Sequence, residues 1–415
     1  MSSLTQVQKE LLSILESFMH DKPYKLPEDF VEVQQLFRLA QIHKIASIVY
    51  EKVRTDSIWK KEEYKNLLPW YKRIALKEIM LQVQRTDGFL TLYEKLKAEG
   101  VEPLIMKGLI CRNLYSEPDY RISGDEDMLL PKEQFTKCDE ILLREGFGRE
   151  ELKDTSAAAL SYEIPYINRK NGVYIELHFM LMKDTGAYGH FNKEFEKVHE
   201  QRIEEEIQGK RVYTLCPTEH LFYLICHSFK HFLHSGFGIR QVADMIMMAE
   251  HYGSQIDWKM IEEKLVRLSM KKYWDALVRI GVEYLGFSLE KAAYPKSMYD
   301  ENVDFEPLLM DLLDSGVYGD SSLERKHSSN MTLTAAAKGK TNTIASVGAS
   351  LFPDKSYMMR SFAWLEKYPW LLPIAYLIRI VGYLKNREKS NDNGKNSVQI
   401  GVERVELLRK YEIIE

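Results

Sequence analysis

Two short apolar segments of the sequence, GDEDMLL and YIELHF, contain the three carboxylates Asp125, Asp127 and Glu176, with Glu126 between the first two. Because alternate residues of a strand share a face, Asp125 and Asp127 point the same way, and so do Glu176 and His178. If the two strands are neighbours, the three carboxylates crowd together. A divalent cation usually relieves the repulsion between carboxylates placed this close, and hard oxygen ligands select magnesium or manganese. The pattern indicates metal-dependent phosphate chemistry, with a chance Asp-x-Asp pair in a solvated turn as the alternative.

The overall charge excludes one large class of partner. The chain of 415 residues has 57 Lys and Arg against 61 Asp and Glu, a net charge of −4, so it offers no general basic field to a nucleic-acid polymer. Hydrophobic residues make up 45% and charged residues 28%, as in folded globular proteins. Four cysteines without a C-x-x-C pair predict neither a disulfide framework nor a zinc or redox motif. The N-terminus lacks the pattern of a signal peptide, so we expect a cytoplasmic protein.

The elements that must position the carboxylates divide the chain into three regions. Residues 1–98 space their apolar side chains at helical intervals and predict helices without a strand. Residues 99–215 predict the core, with about four strands between 101 and 182 and a hairpin at Asn171-Gly172. Residues 216–415 return to helical periodicity. We therefore predict an α+β fold, in which a small mixed β-sheet is flanked by N-terminal and C-terminal helical regions.

Three segments of the C-terminal region depart from this helical pattern. The polar stretches near 314–350 and 386–397 predict mobile loops. The apolar segment 370–384 has only 15 residues and contains Pro373 and Arg379, so it falls short of the roughly 20 residues that span a bilayer. We expect a buried or interfacial helix there and no transmembrane span, with peripheral contact to a partner or a membrane surface left open.

A second group of polar side chains occurs in the sequence HSFKH. His227 and His231 are four residues apart and share a helix face, with Lys230 beside them. Two histidines at this spacing can bind zinc, but Ser228 occupies the position where H-E-x-x-H has its glutamate, so we do not expect zinc. Core packing of one histidine remains an alternative.

Several ordered segments resemble a known family. LIMKGLICRNLY, R-x-x-GDEDMLL and IELHF, with the helical lead-in RLAQIHKIASIVY and the late LFPDKSYMMR, look like a nucleotidyltransferase family of bacterial genomes within the polymerase-beta-like superfamily. The chain departs from that pattern twice. Lys107-Gly108 replaces the Gly-Ser turn of the wider superfamily, so the usual phosphate-binding hydroxyl is absent. Glu126 replaces an apolar residue, which predicts an edge strand or a partly wet back face.

The resemblance implies transfer of a nucleoside monophosphate from a nucleoside triphosphate, such as ATP, to a hydroxyl or similar group. The acceptor would be a small molecule, a peptide or a protein. Asp125 and Asp127 would bridge two Mg2+ or Mn2+ ions, and Glu176 would complete the metal site or take the acceptor proton. The residues expected to bind the nucleotide are Lys107, Gly108, Arg121, Gly124, His178, His227, Lys230 and His231.

Other interpretations of the same residues remain open. Arg121 could form a surface ion pair instead, and His178 could orient Glu176 or fill the cleft. The whole site could belong to a degenerate nucleotide-binding or interaction protein without turnover. Glycosyltransferases also use Asp-x-Asp, but they normally place a larger parallel-sheet domain ahead of it, where residues 1–98 look helical. Nucleic-acid polymerisation is not expected, because no basic stripe with interleaved aromatic residues is present.

Overall fold

The N-terminal region of the computed structural model is helical. The residues that the structure describes are 4–150, 162–183, 187–315, 323–338, 355, 358–359, 362, 364–378 and 397–415. Four α-helices come first: α1 (Gln6–Met19), α2 (Val33–Ile42), α3 (Ala46–Val53) and α4 (Leu67–Ala98). A capping box begins α1, because the Thr5 hydroxyl accepts from the Gln8 amide while the Gln8 side chain accepts from the Thr5 amide. Residues 4–98 contain no strand, as predicted.

A mixed seven-stranded sheet follows. Its strands are β1 (Leu104–Met106), β2 (Glu126–Leu129), β3 (Gly148–Arg149), β4 (Glu163–Asn168), β5 (Val173–His178), β6 (Ile203–Ile207) and β7 (Lys210–Thr214). Their order is β3-β4-β5-β2-β1-β7-β6, with β2 parallel to β5 and antiparallel to β1. Two helices are inserted, α5 (Gly108–Arg112) after β1 and α6 (Phe135–Arg144) after β2. The α+β class is confirmed. The range 101–182, expected to hold about four strands, contains β1, β2, β4 and β5 together with the two-residue strand β3, whereas β6 and β7 lie beyond that range and were not expected.

The position of β2 in this sheet overturns the expectation for Glu126. This strand is the fourth of seven, and Glu126 is only 3% exposed. Its carboxylate forms an ion pair with Arg112, at 2.5 Å from Nη2, and accepts the Leu109 amide at 3.1 Å. Glu126 therefore belongs to a central strand, and its side chain is buried with both carboxylate oxygens paired. The expectation of an edge strand or a partly solvent-exposed face is wrong.

Helices cover the sheet again after β7. They are α7 (Pro217–Leu233), α8 (Ile239–Tyr252), α9 (Trp258–Arg267), α10 (Lys271–Tyr284), α11 (Glu306–Ser315), α12 (Leu323–Lys338) and α13 (Ser397–Lys410). The loop expected near 314–350 is wrong for 323–338, which form α12, while 316–322 and 339–350 lie outside the described residues. Of the loop expected near 386–397, residues 386–396 also lie outside them. Side chains from all three regions join one contiguous hydrophobic core.

The apolar segment predicted at 370–384 is described as far as residue 378. It contains a short turn, Pro369–Leu371, followed by helical residues 372–378. Trp370 and Leu377 expose 70% and 62% of their surface, and contact of this face with a partner stays a prediction. Within the described residues, no helix combines the length and apolar character needed to cross a bilayer.

Candidate active site

The three carboxylates meet because β2 and β5 are parallel neighbours. Asp127 pairs with Glu176 in the register of these strands, and Asp125 lies one residue before β2. Ligand atoms of Asp127, Glu176 and His178 lie within 4.8 Å of one another, so this group could hold a metal ion. His178, and not Asp125, is the third member of that compact group. Asp125 lines the same cavity as Asp127 and Glu176.

The cavity has a volume of about 770 Å3 and is lined by residues of α4, α7 and α8 as well as the sheet. Its lining includes ten of the eleven residues assigned to the site from the sequence: Lys107, Gly108, Arg121, Gly124, Asp125, Asp127, Glu176, His227, Lys230 and His231. The eleventh, His178, is 1% exposed and reaches the site through a 2.9 Å hydrogen bond from Nε2 to Asp127. A cavity of this size accommodates a small-molecule ligand.

Lys107 lies at the centre of the site, and its own backbone conformation is unusual. Its Nζ lies 2.7 Å from Asp127 Oδ1 and 3.1 Å from His227 Nε2. Its φ of +49° and ψ of −114° lie in a region that favours glycine, and such a conformation typically costs about 1–3 kcal/mol in a residue with a side chain. The Lys107 amide donates to His220 Nε2 at 3.1 Å. The unusual backbone conformation and the hydrogen bond of the Lys107 amide to His220 place the ammonium beside Asp127.

The two aspartates have opposite electrostatic environments. Burial and the neighbouring charges of Asp127 and Glu176 raise the pKa of Asp125 from 3.8 to about 7. Burial opposes ionisation of Asp127 as well, but the Lys107 ammonium and the His178 hydrogen bond hold its pKa well below the usual value. Burial lowers the pKa of His178, yet its hydrogen bonds to Asp127 and Glu176 outweigh this and raise that pKa to about 9. Asp127 is therefore an anion between two cations.

The histidines of α7 are neutral hydrogen-bonding groups. Burial, with Lys107 close by, lowers the pKa of His227 well below 6.5, and burial with Lys230 does the same for His231. Because Lys107 can only donate, His227 Nε2 is the acceptor and its ring proton lies on Nδ1. His231 Nε2 lies 3.0 Å from the same nitrogen. The pair orients the Lys107 ammonium without adding charge.

Arg121 occupies a buried ion pair. Its Nε lies 3.0 Å from Asp244 Oδ1, its Nη2 contacts Asp244 Oδ2, and the Tyr115 hydroxyl donates to the same carboxylate at 3.0 Å. The guanidinium thus ties the loop before β2 to α8. A contact of Arg121 with a triphosphate stays a prediction.

The residues assigned to the site from the sequence did not include several charged side chains of the cavity. Arg85 comes from α4, Arg240 from α8, and Glu163 from β4, where it pairs with His178 in the strand register. Glu163 Oε2 lies 3.6 Å from His178 Nδ1. The hairpin prediction could have identified Glu163, which faces His178 across β4 and β5. No local signal marks the two arginines, because helices distant in sequence supply them.

Comparisons with known proteins assign the chain to a family. No curated protein matches the chain. A crystal structure of an antigenic nucleotidyltransferase-like protein from Paracoccidioides brasiliensis is 16% identical, and the match covers 50% of this chain and 93% of that one with a TM-score of 0.32. The family described as "Uncharacterised nucleotidyltransferase" matches residues 29–286, from the N-terminal helices to just past α10. This match spans more than half of the sequence, and the chain therefore belongs to that uncharacterised nucleotidyltransferase family.

Proposed function

We propose that this protein is a metal-dependent nucleotidyltransferase that moves a nucleoside monophosphate from a nucleoside triphosphate to a hydroxyl or similar group of an acceptor. The observation that supports the proposal best is the register of two parallel strands, which places Glu176 beside Asp127 at a cavity that Asp125 also lines. In this proposal residues 99–215 form the catalytic core. The helical regions 1–98 and 216–415 supply the walls over it.

The donor set fits a divalent cation. Asp127 and Glu176 offer oxygen atoms within 4.8 Å of each other, and hard oxygen ligands suit Mg2+ or Mn2+. Asp125, whose charge Asp127 and Glu176 disfavour, would regain its ionised form beside such an ion. A bound divalent ion would polarise the acceptor oxygen and offset the charge of the triphosphate.

The surrounding side chains have separate roles in this proposal. His178 donates to Asp127 and fixes the orientation of that carboxylate from within the core. Lys107 competes for Asp127 as a point charge and turns to a phosphate oxygen when that carboxylate is engaged. Glu176 is the more accessible carboxylate, with 28% of its side chain exposed against 2% for Asp127, and it can accept the acceptor proton. Lys230 lines the wall opposite.

The first test is thermal unfolding with each of ATP, GTP, CTP and UTP, with and without Mg2+. A ligand at 100 times its dissociation constant adds about 2.7 kcal/mol of stability. We expect a Mg2+-dependent shift for at least one nucleotide in the wild type. The shift should disappear in Asp127→Asn and persist in Asp87→Asn, a matched substitution of an exposed aspartate on α4.

The second test is release of pyrophosphate from the nucleotide that binds, with candidate acceptors supplied as pools of small molecules, peptides and proteins. Mg2+-dependent release that requires Asp125 and Asp127 would support transfer. Binding of a nucleotide without release in any pool would favour the degenerate nucleotide-binding alternative. No shift with any triphosphate would contradict both.

A further inference from the structure

Two guanidinium groups line the cavity without an ion-pair partner among the described residues. Arg85 donates from Nη1 to the Ser123 carbonyl at 3.4 Å, and Arg240 donates from Nη1 to the Ile122 carbonyl. These carbonyls belong to consecutive residues of the loop that leads through Gly124 to Asp125. Arg85 reaches the loop from α4 and Arg240 reaches it from α8, so two helices of different regions place positive charge at the same loop.

Two other cations near this loop form close ion pairs, whereas Arg85 and Arg240 form none with the described residues. Lys107 has Asp127 as its partner and Arg121 has Asp244. In contrast, the Nε atoms of Arg85 and Arg240 are buried and reach no acceptor in the described part of the chain. Burial and the nearby Arg121 lower the pKa of Arg240 to about 10. A buried donor without an acceptor is unfavourable, and a ligand with anionic oxygens is the natural complement.

Hydrogen bonds hold the loop that the two arginines contact. The Gln82 side chain, on the same stripe of α4 as Arg85, accepts the Ser123 amide at 2.8 Å. The Ser123 hydroxyl accepts from Arg112 Nη1 at 2.6 Å. Gly124, the next residue, has open space around its Cα, since a side chain there would meet no atom within 4 Å. A ligand could therefore approach the loop closely without disturbing it.

We propose that Arg85 and Arg240 form an anion site that binds a phosphoryl group next to the carboxylates. The planar guanidinium presents a fork of N–H donors that matches phosphate oxygens. Asp125 follows the loop directly and interacts electrostatically with Arg240, so the anion would sit beside the carboxylates that we assign to the metal. The inference rests on the proposed function, in which the phosphoryl group belongs either to the terminal phosphates of the donor or to an anionic acceptor.

The test is calorimetric titration of the full-length protein with inorganic pyrophosphate, in wild type, Arg85→Gln, Arg240→Gln and the double variant. A charge-assisted hydrogen bond lost from each site should weaken binding about 10- to 100-fold per substitution. Arg73→Gln is the matched control, because Arg73 is an exposed arginine on α4 outside the cavity. Arg240→Lys, which keeps the charge and loses the fork, should fall between wild type and Arg240→Gln.

The outcomes separate this inference from the proposed function. Pyrophosphate affinity within twofold of wild type in a folded double variant would overturn the anion site, even if Asp127→Asn abolishes nucleotide transfer. Conversely, weakened pyrophosphate binding in a protein that transfers no nucleotide would retain the anion site and refute the function. A folded state of each variant is verified by its thermal unfolding transition.

A competition experiment identifies the source of the phosphoryl group. Inorganic phosphate is titrated into protein saturated with Mg2+ and a non-hydrolysable triphosphate analogue. If the analogue blocks phosphate binding, the arginines hold the terminal phosphates of the donor. If phosphate still binds, and this binding is lost in the double variant, the arginines hold an anionic group of the acceptor.

Discussion

Replacing Asp125 and Asp127 by asparagine, one at a time, should change the stability of the protein in opposite directions. The pKa of Asp125 is raised from 3.8 to about 7 in the folded protein by burial and by the charges of Asp127 and Glu176. The folded state thus keeps a proton that the unfolded chain releases. The stability of the protein therefore falls as the pH rises from the pKa of the unfolded chain to that of the folded protein. Between about pH 5 and pH 8 the loss is on the order of 2–3 kcal/mol, and Asp125→Asn should remove it.

Ionisation of Asp127 affects the stability of the folded protein in the opposite direction. Its pKa lies below the value of the unfolded chain because, despite burial, Lys107 and His178 favour its ionised form. Its ionisation therefore stabilises the fold at neutral pH, and this contribution is lost only as the pH falls below the ordinary range of an aspartate. Asp127→Asn removes the carboxylate closest to two buried cationic groups, Lys107 and His178, and should cost about 3–5 kcal/mol at pH 7. The pKa of His178, about 9 in the wild type, should fall in this variant, since the hydrogen bond and the charge of Asp127, which favour the protonated ring, are then lost.

Urea unfolding in the presence of EDTA at about pH 5, 6, 7 and 8 measures both effects. Relative to wild type, Asp125→Asn should gain stability progressively with pH, whereas Asp127→Asn should be less stable at pH 7. Asp87→Asn is the exposed control and should stay within about 0.5 kcal/mol of wild type. Equal destabilisation by both substitutions would refute this electrostatic account and show that the two aspartates form a purely structural pair.

Three further predictions concern the supports of the site. Glu126→Leu should destabilise the protein by about 3–5 kcal/mol because it leaves the buried Arg112 unpaired, and adding Arg112→Met should restore most of the loss; urea unfolding of the two variants checks this. Lys107→Gly should be about 1–2 kcal/mol more stable than Lys107→Met, since both lose the ammonium but only glycine relieves the positive φ; equal unfolding midpoints would contradict it. Arg404, which is 1% exposed, donates to two carbonyls at the end of α7, so Arg404→Met should speed hydrogen exchange there, while unchanged protection would exclude this role.

The sequence predicted the parts of the site that depend on local periodicity. Alternation along β2 and β5 assigns side chains to faces because the period of a strand is two residues, and the structure makes these strands neighbours. Local patterns could not predict the contact of Lys107 with His227, which are 120 residues apart. The same limit applies to Arg85 and Arg240, whose helices converge only through tertiary packing.

Two other errors have local physical causes. The β6–β7 hairpin begins with IEEEI, whose three glutamates obscure a strand at the edge of the sheet. Positive φ values at Gln208 and Gly209 mark its tight turn, and that dipeptide was the available signal. Helix α12 was interpreted as a loop because it is rich in Ser, Thr and Ala. It is stabilised by close packing instead: a side chain at Gly401 of α13 would lie 2.4 Å from Met331 Sδ.

Gly108 and Glu126, the two positions at which the sequence differs from the pattern that it resembles, are linked in the structure. A Cβ atom on Gly108 would lie 3.0 Å from both the Asp125 carbonyl and Glu126 Oε2, and neither can easily move. The carbonyl is backbone, and the carboxylate is held by Arg112 and by the Leu109 amide. A serine side chain would therefore be tightly crowded here, and the Leu109 amide, in the first turn of α5, already donates to Glu126.

This arrangement changes where phosphate contacts can come from. The turn after β1 offers neither a hydroxyl nor the Leu109 amide, so its contribution is the strained and charged Lys107. Further positive charge in our proposal comes from Arg85 and Arg240, on helices outside the sheet. With phosphate bound by these two arginines, the phosphate affinity of this chain depends on how α4 and α8 pack against the loop at 122–124. Substitutions that shift either helix should then weaken nucleotide binding without touching a carboxylate, which distinguishes this site from one built on a Gly-Ser turn.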